Sequence, residues 1–192
     1  MRGDGSYLFF EKKEDGSYSC PAGYEYALKP VTYEGTDHDE IGWEIKDAAQ
    51  STLSFDKYGV LRFITDVDGF VTRLDYSEEY NLNKIVTPSG KEFAIEQNEF
   101  GYITGITLPD GSKLAYSYDE NGNLATFTDA NGGMREYQYD DTSRMTSWKD
   151  ENGNTVVTNT YDDDGRVVEQ TDANGGTAVI EYQEGKTVTV DN

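Results

Sequence analysis

Carboxylates are the residues with the most chemical potential in this sequence. Two near-identical tetrads, Asp119-Glu120-Asn121-Gly122 and Asp129-Ala130-Asn131-Gly132, stand close together, and Asp162, Asp163 and Asp164 run directly into Gly165. Oxygen-rich loops of this kind invite calcium. An EF-hand loop, however, needs ligands at five or more spaced positions and a bidentate Glu at the twelfth. Here the acids are consecutive and a glycine follows where a turn needs one, so turn chemistry is the better reading and no metal is assigned. The single histidine, His38, lies among acids with no second His or Cys placed to join it, and reads as a solvated loop residue. Cys20, beside Pro21, has no histidine at useful spacing and is not assigned as a nucleophile. The glycines end strands instead of opening helices, which removes a phosphate loop. No catalytic constellation and no cofactor site emerge, and the chain is expected not to be an enzyme.

The tyrosines are the remaining candidates. Tyr116, Tyr118, Tyr137, Tyr139 and Tyr182 recur at positions that place them on one face of neighbouring strands. Flat aromatic surfaces stack on sugar rings, which makes these five a candidate glycan-binding face. The competing reading is cross-strand packing, which aromatic pairs also do well, and packing is preferred.

The elements that position these residues follow from a repeat. Gly69, Gly90, Gly111, Gly132, Gly153 and Gly175 recur at intervals of 21 or 22 residues, and Gly59, Tyr80, Gly101, Gly122, Ser143 and Gly165 precede them by ten. Two residues after each member of the second series comes an apolar side chain: Leu61, Leu82, Ile103, Leu124, Met145 and Val167. Three residues further stand Ile64, Ile85, Ile106, Phe127 and Trp148, with Gln170 breaking the series. About six residues separate successive turns, which suits a strand and not a helix. Strands joined by Asx-Gly turns make antiparallel hairpins, since Gly and Asn tolerate positive φ. The fold class is therefore all-β: tandem 21-residue β-hairpin repeats in a continuous, curved antiparallel sheet, with the six first-series glycines as structural turn residues. The odd spacing of the apolar residues in the first strand of each unit predicts some on each face, so both faces are expected to be partly covered.

Composition agrees. The chain has 192 residues, 15 of them Tyr and 20 Gly, with 35% hydrophobic content; disordered chains of such polarity lack aromatics. A net charge of −21 disfavours nucleic acid and anionic membrane as partners. With one cysteine there is no internal disulfide. No apolar run approaches the roughly 20 residues of a membrane span. Met1 opens no signal-peptide pattern, Arg2-Gly3-Asp4 is taken as a chance integrin tripeptide, and the strand-like ending at Asn192 suggests a piece cut from a longer array.

Written out, the unit is Tyr-Asp-x-x-Gly-Arg/Asn-apolar followed by x-x-apolar-Thr-Asp-x-Asn-Gly. Tyr118 to Gly132 and Tyr161 to Gly175 match it closely. This resembles the YD repeat of RHS and teneurin-type proteins, also found in the B and C components of insecticidal toxin complexes. The resemblance covers about residues 55 to 185. In that family the repeats wind into a spiral β-shell around a polymorphic C-terminal toxin or other cargo, so it implies a non-catalytic scaffold, part of a large secreted or surface-exposed bacterial protein. Its implied partners are neighbouring repeats and an enclosed effector. The family's Asp-Pro-x-Gly self-cleavage core is missing; Leu108-Pro109-Asp110-Gly111 places Pro before Asp, in a turn. Neither autoproteolysis nor a toxin domain is carried over. Choline-binding repeats share the hairpin length but need a Trp in each repeat, and of Trp43 and Trp148 only the latter lies in the regular array. Two segments are expected: an irregular β lead-in with a degraded repeat, 1–54, and about six YD repeats, 55–192. The unpaired edge at residues 186–190 is expected to support a weak homodimer.

Overall fold

The computed structural model describes residues 7–32, 42–183 and 186–191. His38 and Arg2-Gly3-Asp4 lie outside them. Among the described residues there is no helix. The chain divides into two compact units, Met1–Ile95 and Glu96–Asn192. In the first, β1 (Glu11–Lys12) and β2 (Tyr18–Ser19) form a two-stranded sheet of their own. They are followed by β3 (Ala27–Pro30), β4 (Trp43–Lys46), β5 (Thr52–Phe55), β6 (Leu61–Thr65), β7 (Val71–Tyr76), β8 (Leu82–Val86) and β9 (Glu92–Gln97), which runs into the second unit. The second holds β10 (Ile103–Thr107), β11 (Lys113–Tyr118), β12 (Leu124–Thr128), β13 (Met134–Tyr139), β14 (Met145–Lys149), β15 (Thr155–Tyr161), β16 (Val167–Asp172), β17 (Thr177–Gln183) and β18 (Lys186–Asp191). Within each unit strand order follows sequence order and every pairing is antiparallel, as expected of successive hairpins.

One turn closes nearly all of these hairpins. The Asp119 amide donates to the Asn123 carbonyl (2.9 Å) and the Gly122 amide to the Asp119 carbonyl (3.1 Å). The same two bonds recur from Asp47–Ser51 to Asp172–Gly176. This is a type I turn followed by a left-handed residue, the three-residue hairpin loop. Gly69, Gly90, Gly111, Gly132, Gly153 and Gly175 all sit in the left-handed slot, with φ between +79° and +88°. The second series occupies the same slot in the intervening turns, including Tyr80 (φ 62°) and Ser143 (φ 63°). The asparagines differ from expectation: Asn121, Asn131, Asn152 and Asn174, one residue earlier, are not left-handed. In this turn type only the closing residue needs positive φ.

The expectation that the odd spacing of the first strand puts its apolar residues on different faces is corrected by a register shift. The register between β11 and β12 pairs Tyr116 with Phe127 and Tyr118 with Leu124, and shifts between Ser117 and Tyr118. Two residues of β12 thus stand opposite one of β11, a bulge that inverts the alternation. Leu124 and Phe127, three apart in sequence, therefore share one face with both tyrosines. Equivalent shifts occur at Phe55, Tyr76, Tyr139 and Tyr161. Around β11–β14 the opposite face is largely polar, whereas in the first unit Phe63, paired with Ser54 and Arg73, lies on it. Ser117 and Thr126 hydroxyls meet at 2.6 Å, Ser147 donates to Gln138 (3.0 Å), and Lys149 pairs with Glu136 (3.2 Å). Along β11 the side chains alternate, Lys113, Ala115 and Ser117 exposed and Leu114, Tyr116 and Tyr118 half-buried. The apolar face is covered by lateral contact between strands: among the described residues Ile95, 9% exposed, is the one buried hydrophobic side chain.

Gln170, the break in the apolar series, is explained by register. It faces Asn159 at the position of the Tyr116–Phe127 pair, and its side-chain amide donates to Asn159 Oδ1 at 2.9 Å. Asn159 in turn donates to the Met145 carbonyl at 3.1 Å. Two polar residues replace an apolar pair and satisfy each other.

The left-handed slot yields a stability prediction. Ser143→Gly should stabilise the chain by about 0.5–1 kcal/mol by relieving a strained conformation. Gly132→Val should cost about 1 kcal/mol or more through backbone strain at a left-handed position, where a Cβ meets no atom within 4 Å. Urea unfolding monitored by tyrosine fluorescence checks both signs.

Candidate functional site

Each turn is organised by its first residue. Asp119 Oδ1 accepts from the amides of Asn121 (2.9 Å) and Asn123 (2.8 Å). Asp56, Asp66, Asp140, Asp150, Asp162 and Asp172 make the same two bonds, and Asn98 makes them with its amide oxygen. Where Leu108 opens the turn the side-chain acceptor is missing; Pro109 follows, its φ already fixed for that turn position, and Asp110 takes the Ser112 amide at 3.0 Å. The aspartates are thus committed to their own backbone. Among the described residues no three His, Cys, Asp or Glu side chains are grouped to hold a metal ion. Cys20 is half-buried and accepts the Tyr26 amide at 3.4 Å.

The second carboxylate oxygen reaches out of the turn. Asp140 Oδ2 holds Arg144 Nε at 2.7 Å, and Arg144 Nη1 donates to the Asp162 carbonyl of the next repeat at 3.2 Å. The same guanidinium lies over the Tyr161 ring, 4.8 Å from its centroid. Arg166, held by Asp162, lies over Tyr182 at 4.6 Å, and Arg62, held by Asp56, over Tyr76 at 4.9 Å. The tyrosine hydroxyls reach back the other way: Tyr118 donates to the Ile103 carbonyl (2.8 Å), Tyr161 to Met145 (2.7 Å) and Tyr182 to Val167 (2.9 Å). Tyr and Asp of the motif therefore bind successive repeats to one another. Burial pushes the Asp140 carboxyl up, but the Arg144 amide, the Thr142 hydroxyl and the Arg144 guanidinium outweigh it and hold it far below the usual carboxylate range. For Asp162 the Arg166 amide, and for Asp119 the Asn123 side chain, is the main cause of a lowered value.

The five candidate tyrosines are not equivalent. Tyr116 packs on Phe127 (5.2 Å) and Tyr137 stacks with Trp148 (6.4 Å). Tyr139 is half-buried, and burial followed by its neighbour Tyr137 raises its hydroxyl. Tyr182 lies beneath Arg166. Tyr118 is stacked against Tyr102, ring centroids 4.8 Å apart. Tyr116 and Tyr118, alone among the five, line a cleft of about 500 Å³, together with Asn98, Phe100, Tyr102, Asp119 and Glu120. Phe100 and Tyr102 were not singled out by sequence. Their signal was a pair of aromatic residues at turn positions where the later repeats carry Asn, Thr, Asp or Arg. The arginines at 62, 144 and 166 also went unassigned, although the motif shows two of them directly after the left-handed residue.

Known proteins carry the same pattern. The RHS Repeat family model matches residues 98–134, 118–155 and 139–177. No curated protein sequence matches the chain. Among solved structures, the chain is similar to a Tc holotoxin pore of Photorhabdus luminescens, with 15% identity, a TM-score of 0.58, and coverage of 87% of this chain and 10% of that one. It is similar to TcdB2–TccC3 at 14% identity and a TM-score of 0.60, covering 87% of this chain and 11% of that one. It is similar to TcdB2–TccC3 without its hypervariable C-terminal region at 15% identity and a TM-score of 0.59, covering 86% and 10%. The chain thus spans about a tenth of the length of these structures, and shares their fold.

Two outcomes test the motif chemistry. Asn123 occupies the arginine slot, bound to Asp119 Oδ2 at 3.0 Å, in the turn before Tyr139 as Arg166 stands in the turn before Tyr182. Asn123→Arg should add the missing clamp and raise stability by about 0.5–1 kcal/mol. For Asp140, a carboxyl held below its ordinary 3.8 contributes stability that is complete above that value and is lost as pH falls through the lower folded-state value. Asp140→Asn should therefore lose less stability than the parent between about pH 4 and pH 2. Urea midpoints across that range read both effects.

Proposed function

We propose, from the premise that this chain carries RHS repeats, that it is a non-catalytic wall segment of a larger bacterial RHS-type protein, secreted or surface-exposed, whose shell encloses or presents a C-terminal toxin or effector. The observation that carries this reading is the Tyr–Asp–Arg linkage between consecutive hairpins. It commits Asp140, Arg144 and Tyr161 to joining repeats, and among the described residues no three His, Cys, Asp or Glu side chains are grouped to hold a metal ion. A wall made this way lengthens by one hairpin per repeat and needs no ligand. One solved relative is described as lacking a hypervariable C-terminal region, which fits a constant scaffold with exchangeable contents.

A second reading keeps a glycan on the tyrosine face. The cleft walled by Phe100, Tyr102, Tyr116 and Tyr118 favours it. Tyr137, Tyr139 and Tyr182, packed or covered as described, make this a local pocket at best and not a five-residue platform.

Limited proteolysis of the full-length gene product distinguishes the scaffold role. The C-terminal segment should resist protease as long as the repeats stay folded, and become sensitive when they are unfolded. Digestion as fast as that of the separately expressed segment would contradict a shell. A glycan array tests the second reading: reproducible binding lost in Tyr116→Ala and Phe100→Ala would favour it.

A further inference from the structure

The position after the left-handed residue holds Arg144 and Arg166 in two repeats and an aromatic residue, Tyr102, in another, and there it creates a site. Over Tyr161 and Tyr182 the ring face is covered by a guanidinium from the preceding turn, and over Tyr76 by Arg62 of the preceding strand. Over Tyr118 the equivalent residue is Tyr102, stacked at 4.8 Å with 27° between the planes. An aromatic ring has taken the place of a cation, and Tyr102 remains 40% exposed. Phe100, 75% exposed, stands beside it at 6.5 Å. Tyr116, Tyr118, Asp119 and exposed Glu120 also line the cleft. Gly122 makes the arrangement fit: a Cβ there would lie 2.6 Å from the Tyr102 hydroxyl.

We propose that this cleft binds an arginine side chain presented by a basic polypeptide segment. Three features select this occupant. The array itself sets a guanidinium on tyrosine with a carboxylate alongside; here the turn opens with Asn98 instead of an aspartate, and the carboxylates at the cleft are Asp119, held within its own turn, and exposed Glu120. The chain's net charge of −21 draws basic segments and repels acidic ones. A planar guanidinium stacks on an aromatic face while donating to a carboxylate, which a lysine ammonium does less well and a neutral sugar cannot do by charge. A volume of about 500 Å³ accommodates the side chain and its backbone. This proposal does not rest on the shell reading, because any basic polypeptide segment would serve.

The test uses the whole chain and an acetylated, amidated hexapeptide of alternating Arg and Gly, titrated calorimetrically and by NMR of the aromatic ring protons. Matched Lys–Gly and Gln–Gly peptides and a neutral oligosaccharide serve as counter-probes. The Arg peptide should bind most tightly, with ring shifts confined to Phe100, Tyr102, Tyr116 and Tyr118. Tyr102→Arg supplies the array's own guanidinium over Tyr118 and should weaken binding at least tenfold without lowering the melting temperature. Phe100→Ala, which removes an exposed ring, should also weaken it and covers the case in which Tyr102→Arg misfolds. Asp163→Asn, a distant exposed turn, should leave binding unchanged. Equal affinity in Tyr102→Arg or in Phe100→Ala, an equal loss in Asp163→Asn, or equal binding of the Gln peptide or the oligosaccharide would overturn the proposal.

Discussion

A single carboxylate oxygen that accepts two backbone amides is the interaction on which the rest of this structure depends. It holds the loop of most hairpins at three residues, with Ser77, Thr87 and Asn98 supplying another oxygen in their turns, and loop length fixes register. Register with its adjoining bulge then brings apolar residues three apart in sequence onto one face. A slip of one residue would turn every tyrosine to the polar side. Part of the acidic composition follows from this use, since aspartate opens most of the turns and the oxygen not used by the turn is available to hold a side chain.

That second oxygen converts a row of hairpins into a coupled array. Arg144 is gripped by Asp140, stacks on Tyr161 and bonds the Asp162 carbonyl; Arg166 repeats the grip and the stack one unit on, over Tyr182. With so few side chains fully buried, stability in each unit is carried by nearest-neighbour contacts of this kind instead of by a central core. The slot tolerates substitution where the replacement preserves a contact. Asn123 keeps the carboxylate bond and loses the stack, whereas Tyr102 keeps a stack on Tyr118 and opens a cleft.

The hairpin repeat, the strand positions and the turn glycines were legible in the sequence because period and turn chemistry are local. The faces were not. A bulge is invisible in composition, and simple alternation placed Leu124 and Phe127 on opposite sides until the register with Tyr116 and Tyr118 was known. The asparagines misled for a related reason, since the same Asx-Gly sequence serves a two-residue turn with two left-handed residues and a longer turn with one. Of the candidate residues, Tyr116 and Tyr118 come together in a cleft while Tyr137, Tyr139 and Tyr182 do not join them there. Phe100 and Tyr102 escaped notice because their meaning depends on which side chain fills the same slot in other repeats. That comparison requires knowing that the slot lies over the next tyrosine.

The claim that the Asp-held arginine couples consecutive repeats is tested most directly by a double-mutant cycle between Arg144 and Tyr161. Stabilities would be measured for the parent, Arg144→Met, Tyr161→Leu and the pair. A coupling energy of about 1 kcal/mol is predicted, as expected for a stacked, partly desolvated cation. Single-variant losses that add to the loss in the pair within about 0.3 kcal/mol would contradict the account, because the two residues would then stabilise their hairpins independently.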